Sequence, residues 1–115
     1  FESRLRIIRS TSDEVLPKLP KQLFSTIYID GAHYYEQVIK DITNCIELIE
    51  DDGLIILDDY LIGPPKPGFG VNEAIKETIS NKKLLPVAAS IDKRFKKIIL
   101  AKNEKAKAIF LDKLK

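Results

Sequence analysis

The sequence predicts an α/β fold with a mostly parallel sheet, one antiparallel strand near the C-terminus and helices on both faces. Three observations carry this. Residues 26–30 and 54–58 are apolar runs without alternation, each ending in carboxylate, and such short runs mark strands buried on both faces. Between them Tyr35, Val38, Ile42, Cys45, Ile46 and Ile49 recur at helical spacing, which predicts an amphipathic helix over 34–50. Further on, 84–90 and 97–101 read as strands flanking Asp92-Lys93-Arg94, a hairpin-like junction that makes one of them antiparallel.

Residues 5–9 (Leu-Arg-Ile-Ile-Arg) read as a short first strand. Ser10 to Glu14 then opens a helix, with Ser12 as its N-cap and acids in the first turn. Pro17 and Pro20 keep that helix short. The strand over 26–30 and the helix over 34–50 follow, closed by Asp51-Asp52-Gly53, and the strand over 54–58 completes a strand–helix–strand unit. Its crossover is long enough for parallel pairing and is expected to be right-handed. Both acidic ends therefore fall on one sheet edge, the edge where α/β sheets bind ligands. Residues 61–70 form a loop rich in Pro and Gly. Gly68-Phe69-Gly70 has no strand before it, so it carries little weight as a phosphate loop. Val71, Ala74, Ile75, Thr78 and Ile79 predict another helix, and 103–115 a terminal one. No internal repeat or low-complexity segment is visible.

At 115 residues with 44% hydrophobic and 31% charged content, the chain is one small domain able to fold. A net charge of +2 is too balanced to argue for nucleic acid. The lysines of the last third read as a solvated face. The single Cys45 excludes an internal disulfide and fits a reducing, cytoplasmic setting. No apolar run is long enough to span a membrane and no signal peptide is visible. The chain contains no methionine and opens mid-pattern, which leads us to expect a piece of a longer protein.

Asp30, Asp58 and Asp59 are the candidate metal ligands. Crowded carboxylates repel unless a cation or a shared proton relieves them, and hard divalent cations take several oxygen ligands. The alternative for each is structural: Asp58 or Asp59 capping the next turn, Asp30 capping the helix near 34. His33, the one histidine, sits at the mouth of the same cleft. Imidazole titrates near neutrality and can serve as a general base, or the side chain bonds backbone at the helix start. Tyr34, Tyr35 and Tyr60 are pocket-lining candidates, with Tyr35 better placed for the core. Ser10, Ser12 and Asp13 follow the first strand on the same edge, where they either bond a nucleoside or cap a helix. Spacing alone favours the cap.

The stretches Ile29-Asp30-Gly31-Ala32-His33-Tyr34-Tyr35 and Gly53-Leu54-Ile55-Ile56-Leu57-Asp58-Asp59-Tyr60 resemble the second half of class I S-adenosylmethionine-dependent methyltransferases. The nearest likeness is to small-molecule O-methyltransferases of the catechol and sugar type. Gly70-Val71-Asn72-Glu73-Ala74-Ile75 is similar to the helix after their substrate loop, and Ile7 to Leu19 to their third-strand segment. The resemblance runs over residues 5–101. It implies a Rossmann-like fold, of which this chain is the C-terminal half. The strand–Gly-rich loop half that binds cofactor would lie before Phe1, so the chain alone is expected to bind S-adenosylmethionine poorly, and to dimerise or swap a segment.

The resemblance further implies Mg²⁺ or another divalent cation on Asp30, Asp58 and Asp59, chelating a vicinal diol or similar oxygen pair of a small-molecule acceptor. Asp59 stands where catechol-type enzymes often carry Asn, as in the sugar enzymes. His33 falls where a base sits, although catechol-type enzymes place a lysine nearby. Ser12 and Asp13, with Asp30, map onto cofactor contacts. Tyr34 and Tyr60 fall on the substrate side, and loop 61–70 would cover the acceptor. Two rivals stand beside this reading. One is a non-catalytic half-domain that dimerises or binds a partner. The other is a Mg²⁺-dependent phosphoryl-transfer or receiver-like domain, in which the paired aspartates would precede the lone one, the reverse of the order here.

Overall fold

In the computed structural model, which describes residues 6–61, 66–90 and 95–115, the predicted crossover forms. Strand β1 (Phe24–Ile29) leads into helix α2 (Tyr35–Leu48), and strand β2 (Ile49–Leu61) returns parallel to β1. Before them lies one helical turn, α1 (Ser12–Val15), which tightens into a 3₁₀ turn at Leu16–Lys18. After them come α3 (Val71–Ser80), β3 (Leu85–Ala89), β4 (Phe95–Ala101) and α4 (Glu104–Lys113). Thr11, not Ser12, is the N-cap of α1, its hydroxyl accepting from Glu14 N. Asn103 caps α4 in the same way through Ala106 N.

The sheet order is β1-β2-β4-β3, with β1 and β2 parallel and the other two pairs antiparallel. A mostly parallel sheet is therefore not what forms. One strand, β4, runs against the other three, as the hairpin reading implied. It inserts between β2 and β3 instead of taking an edge, so a single reversal makes two of the three pairings antiparallel.

Helices α2 and α3 touch each other and cover one face of the sheet. Val38, Ile42 and Cys45 of α2 and Ala74 and Ile75 of α3 share a core with Ile55, Leu57 and Leu100. Full burial of a Leu or Ile stabilises by roughly 1.5–3 kcal/mol, so this layer fixes how β1 and β2 present their ends. The helical period of 3.6 puts Val38, Asp41, Ile42, Cys45 and Leu48 on one stripe, and all five are buried.

The opposite sheet face is thinly covered. Thr26 and Tyr28 of β1 are exposed, and Ile56 and Ile99 are only half-buried. Strand β1 is thus not buried on both faces as its apolar run predicted. It is an edge strand that alternates between Ile27 and Ile29 against the core and Thr26 and Tyr28 outward. Helix α4 contacts β2, β3 and β4, and its Ala106 is buried outside the main core. The expected first strand does not form over residues 6–9. Those residues have no ladder partner among the described residues, and Ile7 and Ile8 are 75% and 48% exposed. Leu5 and the Asp92-Lys93-Arg94 junction lie outside the described residues.

Candidate functional site

Parallel pairing determines where the acids fall. Ile29 pairs with Leu57, so Asp30, just past the end of β1, lies beside Asp58, with strands about 4.8 Å apart. Asp58 is inside β2, which runs on to Leu61 instead of ending at residue 58 as expected. Asp59 needs a further device, because neighbouring residues of a regular strand point to opposite faces. That device is a β-bulge. Leu57 pairs with Ile98 and Tyr60 with Lys96, leaving Asp58 and Asp59 opposite the single Lys97. Asp59 adopts a left-handed φ of 67°, which Asp tolerates better than most residues, and bulges of this kind re-aim side chains. The outcome is one carboxylate oxygen each from Asp30, Asp58 and Asp59, all within 4.8 Å of one another.

Each of the paired acids has its own partners. Asp58 Oδ1 accepts from Asp59 N at 2.8 Å, and its Oδ2 accepts from the Tyr28 hydroxyl at 2.6 Å and from Lys97 Nζ at 3.4 Å. The Lys97 ammonium also stands 5.9 Å from the centre of the Tyr28 ring, a cation–π arrangement. Asp59 Oδ2 lies 2.8 Å from His33 Nε2. A carboxylate only accepts, so Nε2 carries the proton and a neutral His33 keeps its lone pair on Nδ1. The His33 ring leans on Phe69 at 5.2 Å between centroids, tilted by 54°. Its carbonyl accepts from Gly70 N at 2.7 Å, tying the loop after β1 to the start of α3. Asn72 completes the scaffold, accepting from Leu61 N at 2.8 Å and donating to Leu61 O at 2.7 Å. A narrow cleft lined by Asp30, His33, Leu57, Asp58, Asp59 and Val71 results.

The Tyr28 hydrogen bond, followed by the Asp59 amide and Lys97, holds the Asp58 carboxyl below the ordinary 3.8, against a burial effect that raises it. The same bond raises Tyr28 above the ordinary 10.0, and Lys97 is raised by Tyr28 and Asp58. A depressed folded-state carboxyl pKa adds stability that is present above the unfolded value and lost as pH falls through the folded value. Tyr28→Phe should therefore melt below the unaltered chain at neutral pH. The gap should close as pH drops through the range below 3.8, and close again above pH 10 as the phenol ionises. Melting curves across pH check this; a gap that does not vary with pH would contradict it.

The other expected residues are dispersed. The Ser12 hydroxyl donates to Asp41 Oδ1 at 2.9 Å, and Asp13 accepts from Gln37 at 3.0 Å. Both contacts dock α1 against α2. Tyr34 is exposed at the start of α2, and Tyr60 packs against the core. Tyr35 is a core residue whose hydroxyl donates to Glu77, which pushes its pKa up to about 12. Asp41, Tyr28 and Lys97 were not anticipated. Asp41 is only 7% exposed and accepts from both Ser12 and Gln37, and an acid on the apolar stripe of α2 was its signal. It sits against Gly31, where an added Cβ would meet Asp41 Oδ2 at 3.4 Å, and so links α1 to the loop that carries Asp30. Tyr28 lies on the outward face of β1, two residues before Asp30. Lys97 had no local signal, since its role depends on β4 inserting beside β2.

An oxygen-only set of three converging carboxylates suits a hard divalent cation. The fit to S-adenosylmethionine is narrower: Asp30 and Asp13 are exposed, whereas the Ser12 hydroxyl is turned onto Asp41.

A parallel strand–helix–strand unit with acids past the end of β1 and in the bulge of β2, followed by an inserted reversed strand, defines a mixed α/β domain. The chain belongs to a family described as a methyltransferase domain, whose model matches residues 1–60. Membership implies S-adenosylmethionine as methyl donor. Among solved structures, the chain is similar to one from Thermus thermophilus provisionally described as a DNA modification methylase. The TM-score is 0.57 at 10% identity, over 79% of this chain and 51% of that one. The likeness is one of fold, and this chain spans about half the length of that structure. No curated protein matches the chain. Among the described residues, no helix is long and apolar enough to cross a membrane.

Proposed function

We propose that this chain is the acceptor-side half of an S-adenosylmethionine-dependent methyltransferase that methylates a hydroxyl of a small molecule with the help of a divalent cation. The observation that carries the reading is the convergence of Asp30, Asp58 and Asp59 within 4.8 Å beside His33, where β1 ends next to the bulge in β2. Asp30, Asp58 and Asp59 would hold Mg²⁺ or a similar ion. When bound, such an ion supplies Lewis acidity that lowers the pKa of a hydroxyl and orients a vicinal oxygen pair. Asp59 holds the Nε2 side of the imidazole, which leaves His33 Nδ1 as the acceptor of the hydroxyl proton. The Phe69 ring limits how far that imidazole swings. Asp13 and Asp30 offer carboxylates on the cofactor side, and the exposed Tyr34 is the aromatic side chain left to meet an acceptor, Tyr60 being packed against the core. The buried free Cys45 accords with a reducing, cytoplasmic setting.

The test is a methyl-transfer assay on the parent polypeptide with vicinal-diol acceptors. Activity should vanish in chelator and return on adding Mg²⁺; full activity in chelator removes the metal from the reaction. A second reading, a non-catalytic half-domain that dimerises or binds a partner, is favoured by the open β1 edge. There Leu23, Phe24 and Tyr28 are 48%, 38% and 47% exposed. Absence of transfer to every acceptor, together with a stable dimer in solution, would select it.

A further inference from the structure

Asp58, one of the three clustered acids, already has a cation of its own. Lys97 is the single residue opposite the bulge that carries Asp58 and Asp59. Its ammonium lies 3.4 Å from Asp58 Oδ2, steered there by the Tyr28 ring beneath it and by the Tyr28 hydroxyl on the same oxygen. Asp58 Oδ1 is meanwhile taken by the Asp59 amide. A divalent ion binds carboxylate oxygen at about 2.1 Å and would arrive at an oxygen where a positive charge already stands. The two cations repel at that separation. The lysine is free to yield, because its side chain is 57% exposed and a flexible four-carbon stem carries it.

We propose that Lys97 is a resident counter-cation that competes with the divalent ion for Asp58, so that metal entry and the Lys97–Asp58 contact exclude each other. The proposal rests on the metal reading of the acidic cluster and deepens it. Lys97 offsets one of the cluster's three negative charges and lowers the apparent affinity for the ion. It is a positioning residue that acts through Asp58.

The probe is Mn²⁺, titrated into the 115-residue chain and followed by the electron paramagnetic resonance signal of the free ion. Lys97→Met should bind Mn²⁺ about twofold to fivefold tighter than the unaltered chain, the size expected from one exposed ion pair. Lys97→Arg, which keeps the charge, should stay near the unaltered value. Lys105→Met removes the same charge beside Asp52, its partner at 3.5 Å toward the other end of β2, and should change nothing. Equal or weaker binding by Lys97→Met overturns the competition and leaves the metal reading standing. An equal gain in Lys105→Met assigns the effect to net charge and overturns it too. No Mn²⁺ binding by any form overturns the metal reading and the competition together, so the two failures are told apart.

Discussion

Asp58→Asn should lower the affinity for a divalent cation by at least about 10- to 100-fold, the range seen when even an outer-sphere partner of a metal ligand is lost. The reason is its place in the cluster. Asp58 supplies one of three carboxylate oxygens that all lie within 4.8 Å of one another, so its loss removes one of three charges a cation would meet. Asn keeps the shape: its one carbonyl oxygen can still accept from the Asp59 amide, and its NH₂, in place of Oδ2, can donate to the Tyr28 hydroxyl oxygen, which limits damage to the fold. It removes one charge and weakens the hold on Lys97. In the parent polypeptide, methyl transfer at limiting Mg²⁺ should fall by a similar factor and recover in part at high Mg²⁺. Calorimetric titration with Mg²⁺ and initial rates at several metal concentrations check this. Unchanged affinity would mean that Asp58 is a structural acid serving Tyr28 and Lys97 alone.

Gly70→Ala should unsettle the site without touching any of its acids. Gly70 sits where α3 begins against the start of α2, and a Cβ there would come within 2.4 Å of Tyr35 N and 2.6 Å of Tyr35 Cα. Those are backbone atoms, so relief requires the two helices to part. Overpacking of this kind costs about 1–3 kcal/mol. The same shift would pull Gly70 N from the His33 carbonyl it reaches at 2.7 Å. We therefore expect a lowered melting temperature together with loss of the His33–Asp59 contact, visible as a displaced His33 imidazole resonance in NMR spectra. Gly68→Ala is the contrast. Its φ of 75° is left-handed, but a Cβ there meets nothing, so it should cost about 1 kcal/mol and leave His33 in place.

The sequence made the strand–helix–strand unit and its acidic edge legible because each part is local. Helical spacing over 34–50 and two short apolar runs are enough to place Asp30 beside Asp58. Burial of β1 was misjudged for a non-local reason. An unalternating run says what a strand could bury, whereas Thr26 and Tyr28 are exposed because β1 is an edge strand with one bare face. The expected strand over residues 5–9 does not form where residues are described, for a related reason: a strand exists only with a partner. The Asp59 bulge was hidden because its left-handed turn is set by pairing with β4. Lys97 was hidden with it. Ser12 was read as a cap one residue too late, and its hydroxyl serves the buried Asp41 instead.

The central claim is that Asp30, Asp58 and Asp59 act as one oxygen cradle for a single divalent ion. Crystals grown with Mn²⁺ and measured at a wavelength where manganese scatters anomalously test it most directly. The account predicts one anomalous peak, about 2.2 Å from an oxygen of each of the three carboxylates, with Lys97 swung away from Asp58. Strong peaks elsewhere, or none at this edge while Lys97 keeps its contact with Asp58, would contradict it.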